Sequence, residues 1–479
     1  MRDKLNLAAM VVAFAGGISG SAWGIEFPYM LQDPLLTRPK ILDRGVSLPG
    51  DGASLACTSM SPEDLSLKDP LALATAVDMA LCHNPQVKAA WAAIKVQAGA
   101  LGEARAAYVP TLNATVSKLQ NDTRYTDGVS PDTSNSGKTK YANLTWRLFD
   151  FGTRSANLES ANQLLIAALA SHDAALQKVL TSVVEAYFDT MTAQATVKAR
   201  TQAVELATGT WQTTQRRETR GAAAVSDTLQ AAAALAKAQL ALSRGLGDAQ
   251  KAQSVLIYAM GLPINTPLRL PDEHAAAQEA RVQDLVQWLS DAQQKHPAIA
   301  AARAQLAASR AKVQATQAEG LPTLDYTHSY YQNGYPNQGL SPTSSKVTNV
   351  GFTLNVPLFE GFARTYKVRG AQAESEQREA QLQDAESQIL MEVVKAHADA
   401  QASFENLQAS LQLLDTTQAA VKSSQKRYGK GAADILELLS TQNALADAQQ
   451  ERTRCLSDWR SARLRLMSSS GVLGRNNLD

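Results

Sequence analysis

The chain has 479 residues, more than a single globular core usually contains. Its 46 basic and 45 acidic residues give a net charge of +1 without a dense basic run, so a nucleic-acid partner is not expected. Aromatic residues make up only 6% of the chain, and alanine, glutamine, serine and leucine are abundant. This composition suits extended helix-on-helix packing better than a thick core.

The first segment, residues 1–24, has the pattern of a secretory signal peptide. Arg2 and Lys4 form a charged start, residues 5–17 an apolar centre, and residues 22–24 a small-residue cleavage site. The alternative, a membrane anchor, needs about 20 apolar residues, and this run is shorter. We therefore predict an exported mature protein without a transmembrane helix.

Residues 25–67 are rich in proline, glycine and aspartate and lack sustained periodicity, which predicts an extended arm on the outside of the fold. Cys57 and Cys82 are candidates for a local disulfide, because exported proteins fold in an oxidising compartment; two unpaired thiols are the open alternative. Cys455 lies in a helical pattern and is predicted to be a small buried residue.

An internal duplication begins after the arm. Four pairs of landmarks recur along the chain: Pro85 and Pro297, Pro110 and Pro322, Leu148 and Leu358, and Gly221 and Gly431. The first two pairs are 212 residues apart and the last two are 210 apart. A nearly constant shift indicates a tandem repeat. The predicted domains are a first repeat at 68–263, a linker at 264–279, a second repeat at 280–472 and a tail at 473–479.

Each repeat contains two segments in which apolar and polar side chains alternate, the pattern of a strand with two different faces. In the clearest segment, one face carries Ala142, Leu144, Trp146 and Leu148, and the other carries Tyr141, Asn143, Thr145 and Arg147. The segment from Val350 to Leu358 alternates in the same way. The polar stretches 120–138 and 332–346 are predicted to be long, solvated hairpin loops.

The strand pairs run directly into long helical patterns. The predicted strand–helix junction residues are Pro110, Phe149, Gly152, Pro322, Phe359 and Gly361. Proline is expected there because it stops a helix and lets the chain straighten into a strand. The pattern from Arg154 to about Thr210 predicts a helix of roughly 80 Å with a coiled-coil seam, and Arg364 to Arg427 predicts a longer one. Helices of this length must lie against other long helices.

Four alternating strands suit the wall of an outer-membrane barrel but cannot close one, and an open edge is not tolerated in lipid. Several chains are therefore expected to share a barrel, and three chains would contribute twelve strands. Trp146 and Phe149 fit an interfacial aromatic girdle or, alternatively, ordinary packing at a junction. Two other readings stay open: a water-soluble β-layer that caps a helical bundle, and a periplasmic coiled-coil structural protein.

In these features the chain resembles the TolC family of outer-membrane channel-tunnels. The likeness rests on the signal peptide, the tandem repeat, the X-Pro-Thr-Leu strand openings, the Leu-Phe-acid junctions and the helix-tip segments 220–227 and 427–437. It covers about 68–472. The resemblance implies a mixed α and β membrane protein, a trimeric 12-stranded β-barrel with four strands per chain, continued by a long periplasmic α-helical barrel.

The resemblance also implies location and partners. A homotrimer would lie in the lipid of the cell outer membrane, extend into the periplasm, and dock to a periplasmic adaptor (membrane fusion) protein and an inner-membrane ABC exporter or drug pump. It would conduct substrate passively to the exterior. The long arm is similar to that of exit ducts in type I secretion of protein toxins. Multidrug or small-molecule efflux is the alternative, because the inner-membrane partners select the cargo.

Residue by residue, the resemblance assigns a periplasmic gate to the two helix tips. Ser226 and Asp227 take the linking positions of the first tip, and Tyr428 is the tyrosine that bonds across to it. Glu437 takes the first acidic ring position, where three copies would attract cations.

This sequence departs from the family pattern at two gate positions. Ala433 replaces an arginine link, and Ser440 replaces a second acidic residue, so fewer links and a weaker anionic ring are expected. The open alternative is that Asp227 and Glu437 are solvated helix-start residues favoured by the helix dipole.

Enzyme signatures are weak throughout the sequence. The six histidines are scattered without a His-x-x-x-His pair, and residues 429–431 lack the other residues of a phosphate loop. His296 precedes Pro297 and is predicted to mark a helix start, not a catalytic base. We therefore expect no catalytic, metal or cofactor-binding residues, which weakens the reading as an exported hydrolase.

Overall fold

The computed structural model describes residues 33–37, 39, 70–126, 129, 131–271, 284–333 and 345–473, so the predicted signal peptide lies outside it. The elements of the first repeat are α1 (Leu73–His83), α2 (Pro85–Ala106), β1 (Thr111–Thr123), β2 (Thr133–Phe149), α3 (Thr153–Thr219) and α4 (Val225–Ala259). Those of the second repeat are α5 (Leu285–Lys295), α6 (Pro297–Ala318), β3 (Thr323–Gln332), β4 (Lys346–Asn355), α7 (Ala363–Gly429) and α8 (Ile435–Ser469).

The tandem duplication is confirmed by the lengths of the helices. The four helices of each repeat have 11, 22, 67 and 35 residues, in the same order. The two 67-residue helices are each about 100 Å long at 1.5 Å per residue. The domain boundaries themselves stay predictions.

The two short helices of each repeat are separated by a one-residue break that also starts the second helix. Asn84 Oδ1 accepts a hydrogen bond from the Gln86 amide at 2.8 Å, and His296 Nδ1 accepts one from the Ala298 amide at 3.2 Å. Proline follows at the first helical position in both, where no amide is needed. His296 is therefore a helix cap, as predicted.

Each helix hairpin ends against this break in its own repeat. Gly261 follows α4 with φ +72°, and a Cβ there would lie 2.8 Å from Asn84 Cα. Gly471 follows α8 with φ +75°, and a Cβ there would lie 2.9 Å from His296 Cα. Both the left-handed backbone and the close approach require glycine. The carboxyl-terminal ends of α4 and α8 are thus fixed to the breaks between the short helices.

The four strands form one antiparallel meander in the order β1-β2-β3-β4. The first hairpin loop is shorter than predicted from 120–138, because β1 pairs with β2 as far as Thr123 and Thr133. Serine, threonine and asparagine here are polar on both faces, which suits a strand in water as well as a loop. The second loop agrees with the prediction, since β3 ends at Gln332 and β4 begins at Lys346.

The sheet has one apolar and one polar face, as the alternation predicted. Leu112 pairs with Leu144 and Tyr326 with Phe352 on the apolar face, while Asn143 pairs with Ser329 on the polar face. The strand β4 stops at Asn355 although the alternation continues to Leu358. Pro357 has no amide to donate to the ladder, which explains the early end.

The core lies where the short helices meet the middle of the long ones. One cluster of buried side chains joins α1, α3 and the end of α4 and includes Val77, Leu180 and Leu256. A second cluster joins α5, α6, α7 and α8 and includes Val393 and Trp459. Among the described helices, none combines the length and apolarity needed to cross a membrane.

The cysteines occupy different environments. Cys455 is free and buried in the second cluster, as predicted, and burial raises the pKa of its thiol. Cys82 lies in α1 and is disulfide-bonded. Its predicted partner, Cys57, lies outside the described residues, so the pairing stays a prediction.

A short piece of the arm lies on α2. Arg105 Nη1 donates to the Leu35 carbonyl at 2.7 Å and to the Leu36 carbonyl at 3.0 Å. The rest of 25–67 lies largely outside the described residues, and the extent of the arm stays a prediction.

Candidate functional site: helix tips and strand–helix junctions

The two helix hairpins end in matching tips. Gly221 and Gly431 adopt left-handed φ values of +70° and +75° just after α3 and α7. The next amides, of Ala222 and Ala432, donate to the carbonyl five residues earlier at 2.8 and 2.9 Å. This is a glycine-based helix end that satisfies the last carbonyls and reverses the chain.

Tyr428 ties the end of α7 to α3. Its buried hydroxyl lies 3.2 Å from Thr214 Oγ1, and either oxygen can donate. Its carbonyl accepts from Arg217 Nη1 at 3.0 Å, and the Arg217 guanidinium lies 4.8 Å from the centre of the Tyr428 ring. The ring also packs against Ile435 and Leu438 of α8. We call Thr214, Arg217 and Tyr428 the tip contact.

A second polar contact lies further from the tips. Gln442 Nε2 of α8 donates to Thr210 Oγ1 of α3 at 3.0 Å. On the neighbouring side of α8, Thr441 Oγ1 lies 2.6 Å from Ser424 Oγ of α7. The ends of α3, α7 and α8 are therefore joined by hydroxyl and amide groups within one chain.

Ser226 and Asp227 lie elsewhere, in the first turn of α4. Ser226 is exposed, and its hydroxyl lies 3.4 Å from Asp227 Oδ1. The expected bond from Tyr428 to this turn is replaced within the chain by the bond to Thr214. The reason is geometric: α4 packs against α3, whereas α7 packs against α6 and α8, and Tyr428 meets α3 instead of the start of α4.

Glu437 does not stand alone at the second tip. Its Oε1 lies 2.7 Å from Arg427 Nη1, in an ion pair with both side chains partly exposed. Arg427 also donates to the Ala432 carbonyl at 3.3 Å, so the ion pair spans the turn. Ser440 is exposed one turn further along α8. The predicted anionic position is thus occupied by a paired carboxylate.

The net charge of the two tips also does not favour an anionic ring at this position. Residues 216–227 contain three basic and two acidic side chains, and residues 426–437 contain three and two as well. The two tips together carry 6 − 4 = +2 per chain. The excess of basic residues can be counted in the sequence, but the pairing of Arg427 with Glu437, ten positions apart, could not be predicted from it.

The strand–helix junction of the first repeat is held by a buried ion pair that sequence analysis did not single out. Asp150 is buried, and its Oδ2 accepts from Arg154 Nε at 2.8 Å and from the Arg154 amide at 3.0 Å. Arg154 also donates to the Arg147 carbonyl at 2.7 Å and lies 4.7 Å from the ring centre of Tyr108. One arginine therefore joins the strand end, the helix start and the segment that follows α2.

The second junction repeats this arrangement in a more exposed form. Arg364 Nη2 lies 2.8 Å from Glu360 Oε2, and Arg364 Nη1 donates to the Gly320 carbonyl at 2.9 Å. The detectable signal was an acid followed four residues later by arginine, in both copies.

Two consecutive residues with positive φ turn each strand into its helix. Phe151 and Gly152 have φ of +50° and +95°, and Gly361 and Phe362 have +58° and +63°. The order of glycine and phenylalanine is exchanged while the geometry is kept. A phenylalanine in this region is strained. Pro110 and Pro322 immediately precede β1 and β3, as expected for junction residues.

Exposed aromatic side chains surround the junctions. The exposed set is Trp146, Phe149, Phe151, Phe359, Phe362 and Tyr366. The rings of Phe149 and Phe151 are 4.8 Å apart, and those of Phe359 and Phe362 are 5.4 Å apart. Exposed aromatic rings beside an apolar sheet face are typical of a membrane interface.

The polar face of the sheet carries its own network close to the junctions. Arg147 donates twice to the Asp325 carboxylate, at 2.9 and 3.3 Å. Further along, Ser329 Oγ donates to Asn143 Oδ1 at 2.7 Å. Within the part of the chain that the structure describes, no group of three His, Cys, Asp or Glu side chains could hold a metal ion. The network therefore gives the sheet a polar face that water can wet.

Comparison with known proteins places these features in a family. The model of the family described as "Outer membrane efflux protein" matches residues 76–262 and 288–472. Protein CyaE of Bordetella pertussis is 35% identical over 411 residues, covering 86% of each chain. Alkaline protease secretion protein AprF of Pseudomonas aeruginosa is 25% identical over 311 residues, covering 63% of each.

A solved structure shows the same fold. The outer membrane protein VceC of Vibrio cholerae superposes with a TM-score of 0.72 at 23% identity, covering 83% of this chain and 96% of that one. The two matched segments correspond to the two repeats described above. The chain belongs to the outer membrane efflux protein family, as a TolC-type channel of the outer membrane that extends into the periplasm.

Proposed function

We propose that three copies of this chain form the outer-membrane exit duct of a type I secretion system and pass a protein to the cell exterior. The main support for a protein cargo is the 35% identity to CyaE over 86% of both chains. AprF, a second relative, is by its name a protease secretion protein. Passive conduction needs no catalytic residue, and we infer that the protein is not an enzyme.

The sheet supports the trimer. The strands β1 and β4 are the two edges of the sheet, and each leaves a row of backbone groups for another chain. Unpaired backbone groups are costly in lipid, and a four-stranded sheet is too small to close on itself. Pairing β1 of one copy with β4 of the next gives a closed wall whose polar faces line the hole.

The helices support a tunnel below that wall. Each chain has two helices of 67 residues, which extend far beyond the buried core at their middle. Within a chain α3 packs against α4, α6 and α8, and α7 packs against α6 and α8. The lower helices therefore form a layer in the order α4, α3, α8, α7, with α4 and α7 at its edges. These edges would meet in the trimer. The free ends would receive a periplasmic adaptor and, through it, an inner-membrane ABC exporter.

The tips are proposed as the gate. The tip contact holds the α7–α8 hairpin against α3, and its release would let this hairpin swing outward. Ser226, Asp227 and Ser440 do not take part in the tip contact, so we propose that they face the neighbouring copy in the closed state. Glu437 contributes to the gate as half of an ion pair.

The direct test is a deletion of the gene followed by analysis of the culture medium. We expect at least one large protein to disappear from the medium and to return with the wild-type gene. Susceptibility to small toxic compounds should stay unchanged. A strain that still exports every protein but loses resistance to such compounds would instead establish small-molecule efflux.

The state of association needs its own measurement. In detergent, the native mass of the purified protein should equal three protomers, and bilayers should show discrete conductance steps. A stable monomer recovered from the periplasm without detergent would contradict the proposal and favour a coiled-coil structural protein.

A further inference from the structure

The register of the sheet collects lysines at the end opposite the helices. Lys118 of β1, Lys138 and Lys140 of β2, and Lys346 of β4 occupy the same alternating positions as the apolar residues of their strands, such as Leu112 and Leu144. All four side chains are exposed. They therefore continue the apolar face beyond its last large hydrophobic residues. We call these four residues the lysine belt.

The height of the belt matches the far surface of a bilayer. Lys140 and Lys138 lie 149 − 140 = 9 and 149 − 138 = 11 residues along β2 from Phe149, at the level of the aromatic girdle. At about 3.3 Å per residue and a strand tilt of about 40°, these separations correspond to about 23 and 28 Å of height. The apolar band of an outer-membrane barrel is about 25 Å tall. This height would place the belt among the headgroups of the outer leaflet.

Among the described residues, no ion pair balances this charge on the same face. Lys118 and Lys138 are direct cross-strand partners, an arrangement of like charges that is unfavourable. None of the ion pairs among the described residues includes a lysine of the belt. The nearest acid on this face of β1, Asp122, lies further out and is bonded to Ser134 and Gln120. An external anion between the lysines would remove the repulsion.

Protection of sheet edges does not explain every lysine of the belt. Lysine is common on exposed edge strands, where it prevents unwanted pairing. Lys118 and Lys346 are on edge strands, and Lys138 lies in the part of β2 that pairs with β1 alone, but Lys140 pairs with Val116 on one side and with Gln332 on the other. The four lysines therefore have a similar height along the wall in common, as expected for contact with lipid headgroups.

We propose that the lysine belt binds the phosphate groups of an anionic glycolipid in the outer leaflet. The compact ammonium group of lysine suits phosphate as a point charge. Basic clusters beside an apolar membrane surface attract anionic headgroups, and the acyl chains of the same lipid would cover the apolar face below. The proposal rests on the outer-membrane location and not on the cargo.

The test compares lipid binding by purified full-length protein in a non-ionic detergent. The triple variant Lys118→Gln, Lys138→Gln, Lys140→Gln is titrated with bisphosphorylated lipid A, and bound lipid is counted by native mass spectrometry. We expect its affinity to fall on the order of 100-fold relative to wild type, roughly five-fold for each lysine. The matched control changes three exposed helix lysines, Lys88, Lys95 and Lys237, to glutamine and should bind like wild type.

Two further arms separate binding of the whole glycolipid from binding of free phosphate. The wild-type protein should bind dephosphorylated lipid A as weakly as the triple variant does, and inorganic phosphate at equal concentration should not displace the lipid. A variant with arginine at the three positions should keep binding within about two-fold of wild type. Equal lipid A affinity in the wild type and in a correctly assembled, conducting triple glutamine variant would overturn the proposal. Displacement by inorganic phosphate would overturn it too.

Discussion

Arg217 makes two contacts to Tyr428, one through the Tyr428 carbonyl and one over its ring. A hydrogen bond of this kind contributes about 1 kcal/mol, and an arginine over an aromatic ring about 0.5–1 kcal/mol. Of the two α3 residues in the tip contact, Arg217 therefore contributes more than Thr214, which makes one hydrogen bond to Tyr428. The neighbouring Arg216 is exposed and provides a matched control on the same helix end.

We predict that Arg217→Ala opens the gate. Loss of about 2 kcal/mol per chain would shift the closed-to-open ratio roughly 30-fold toward the open state. Single-channel recordings in planar bilayers should show higher conductance or a larger open fraction, whereas Arg216→Ala should behave like wild type. Indistinguishable recordings from both variants would remove the tip contact from the gate.

The Arg427–Glu437 ion pair leads to a second prediction at the residue scale. Removing the arginine in Arg427→Ala leaves an unpaired carboxylate at the tip, and a ring of carboxylates favours cations. Reversal potentials in a salt gradient should therefore shift toward cation selectivity. Glu437→Ala should shift them in the opposite direction and weaken block by divalent cations.

An exposed lysine at the same tip serves as the control for this pair. Lys430→Ala changes the net charge by the same amount as Arg427→Ala but leaves the ion pair intact. If Lys430→Ala shifts the reversal potential as much as Arg427→Ala, the net charge of the tip controls selectivity and the ion pair does not.

At the scale of elements, the break between the two short helices is built from different residues in the two repeats. Asn84 caps the helix in the first repeat, and His296 caps it in the second. An asparagine cap is independent of pH, whereas the histidine cap works only while Nδ1 is unprotonated. Burial lowers the pKa of His296, which keeps the ring neutral near pH 7.

This difference predicts a pH dependence of stability. The pKa of His296 is about 6.5 in the unfolded chain and lower in the fold, so its contribution is complete above about pH 6.5 and declines as pH falls through the folded pKa. In His296→Asn the thermal midpoint should fall less between pH 7 and pH 5 than it does in wild type. The reciprocal variant Asn84→His should add pH dependence. Parallel pH profiles for all three proteins would contradict this account.

At the scale of the whole molecule, the two faces of the sheet decide which surface meets lipid. Phe352 and Thr353 are neighbours on the edge strand β4 and lie on opposite faces. Phe352 is 69% exposed in a single chain and continues the apolar face, while Thr353 is the cross-strand partner of Asp325 on the polar face. A barrel of several copies would place the first in lipid and the second in the hole.

We predict opposite outcomes for the same substitution at these two positions. Arginine on the lipid face of a barrel costs about 2–4 kcal/mol at the bilayer midplane and about 0–1 kcal/mol near the interfaces. Phe352 lies level with Trp146, close to the aromatic girdle, so Phe352→Arg should modestly reduce the heat-resistant oligomer in the outer membrane. Thr353→Arg should insert normally and change the conductance. Normal assembly of Phe352→Arg together with loss of Thr353→Arg would mean that the faces are assigned the wrong way round.

Much of the fold could be predicted from the sequence alone, because it follows from the periodicity of apolar residues and from the internal repeat. The alternation around Leu144 fixed both faces of β2, since successive side chains of a strand point to opposite sides. The duplicated Pro85 and Pro297 located two helix starts, because proline is tolerated only in the first turn. These signals are local, because they depend on residues a few positions apart in the chain.

The contacts at the tips and junctions were decided by tertiary structure. The sequence predicted Tyr428 as a linking residue but not its partners, because Thr214 and Arg217 lie more than 200 positions earlier. Likewise, the lysine belt exists only through the strand register, which brings Lys118 beside Lys138. Period and composition establish what each segment is; which side chains meet depends on how two helices of 67 residues align, and that alignment is set by packing along their whole length.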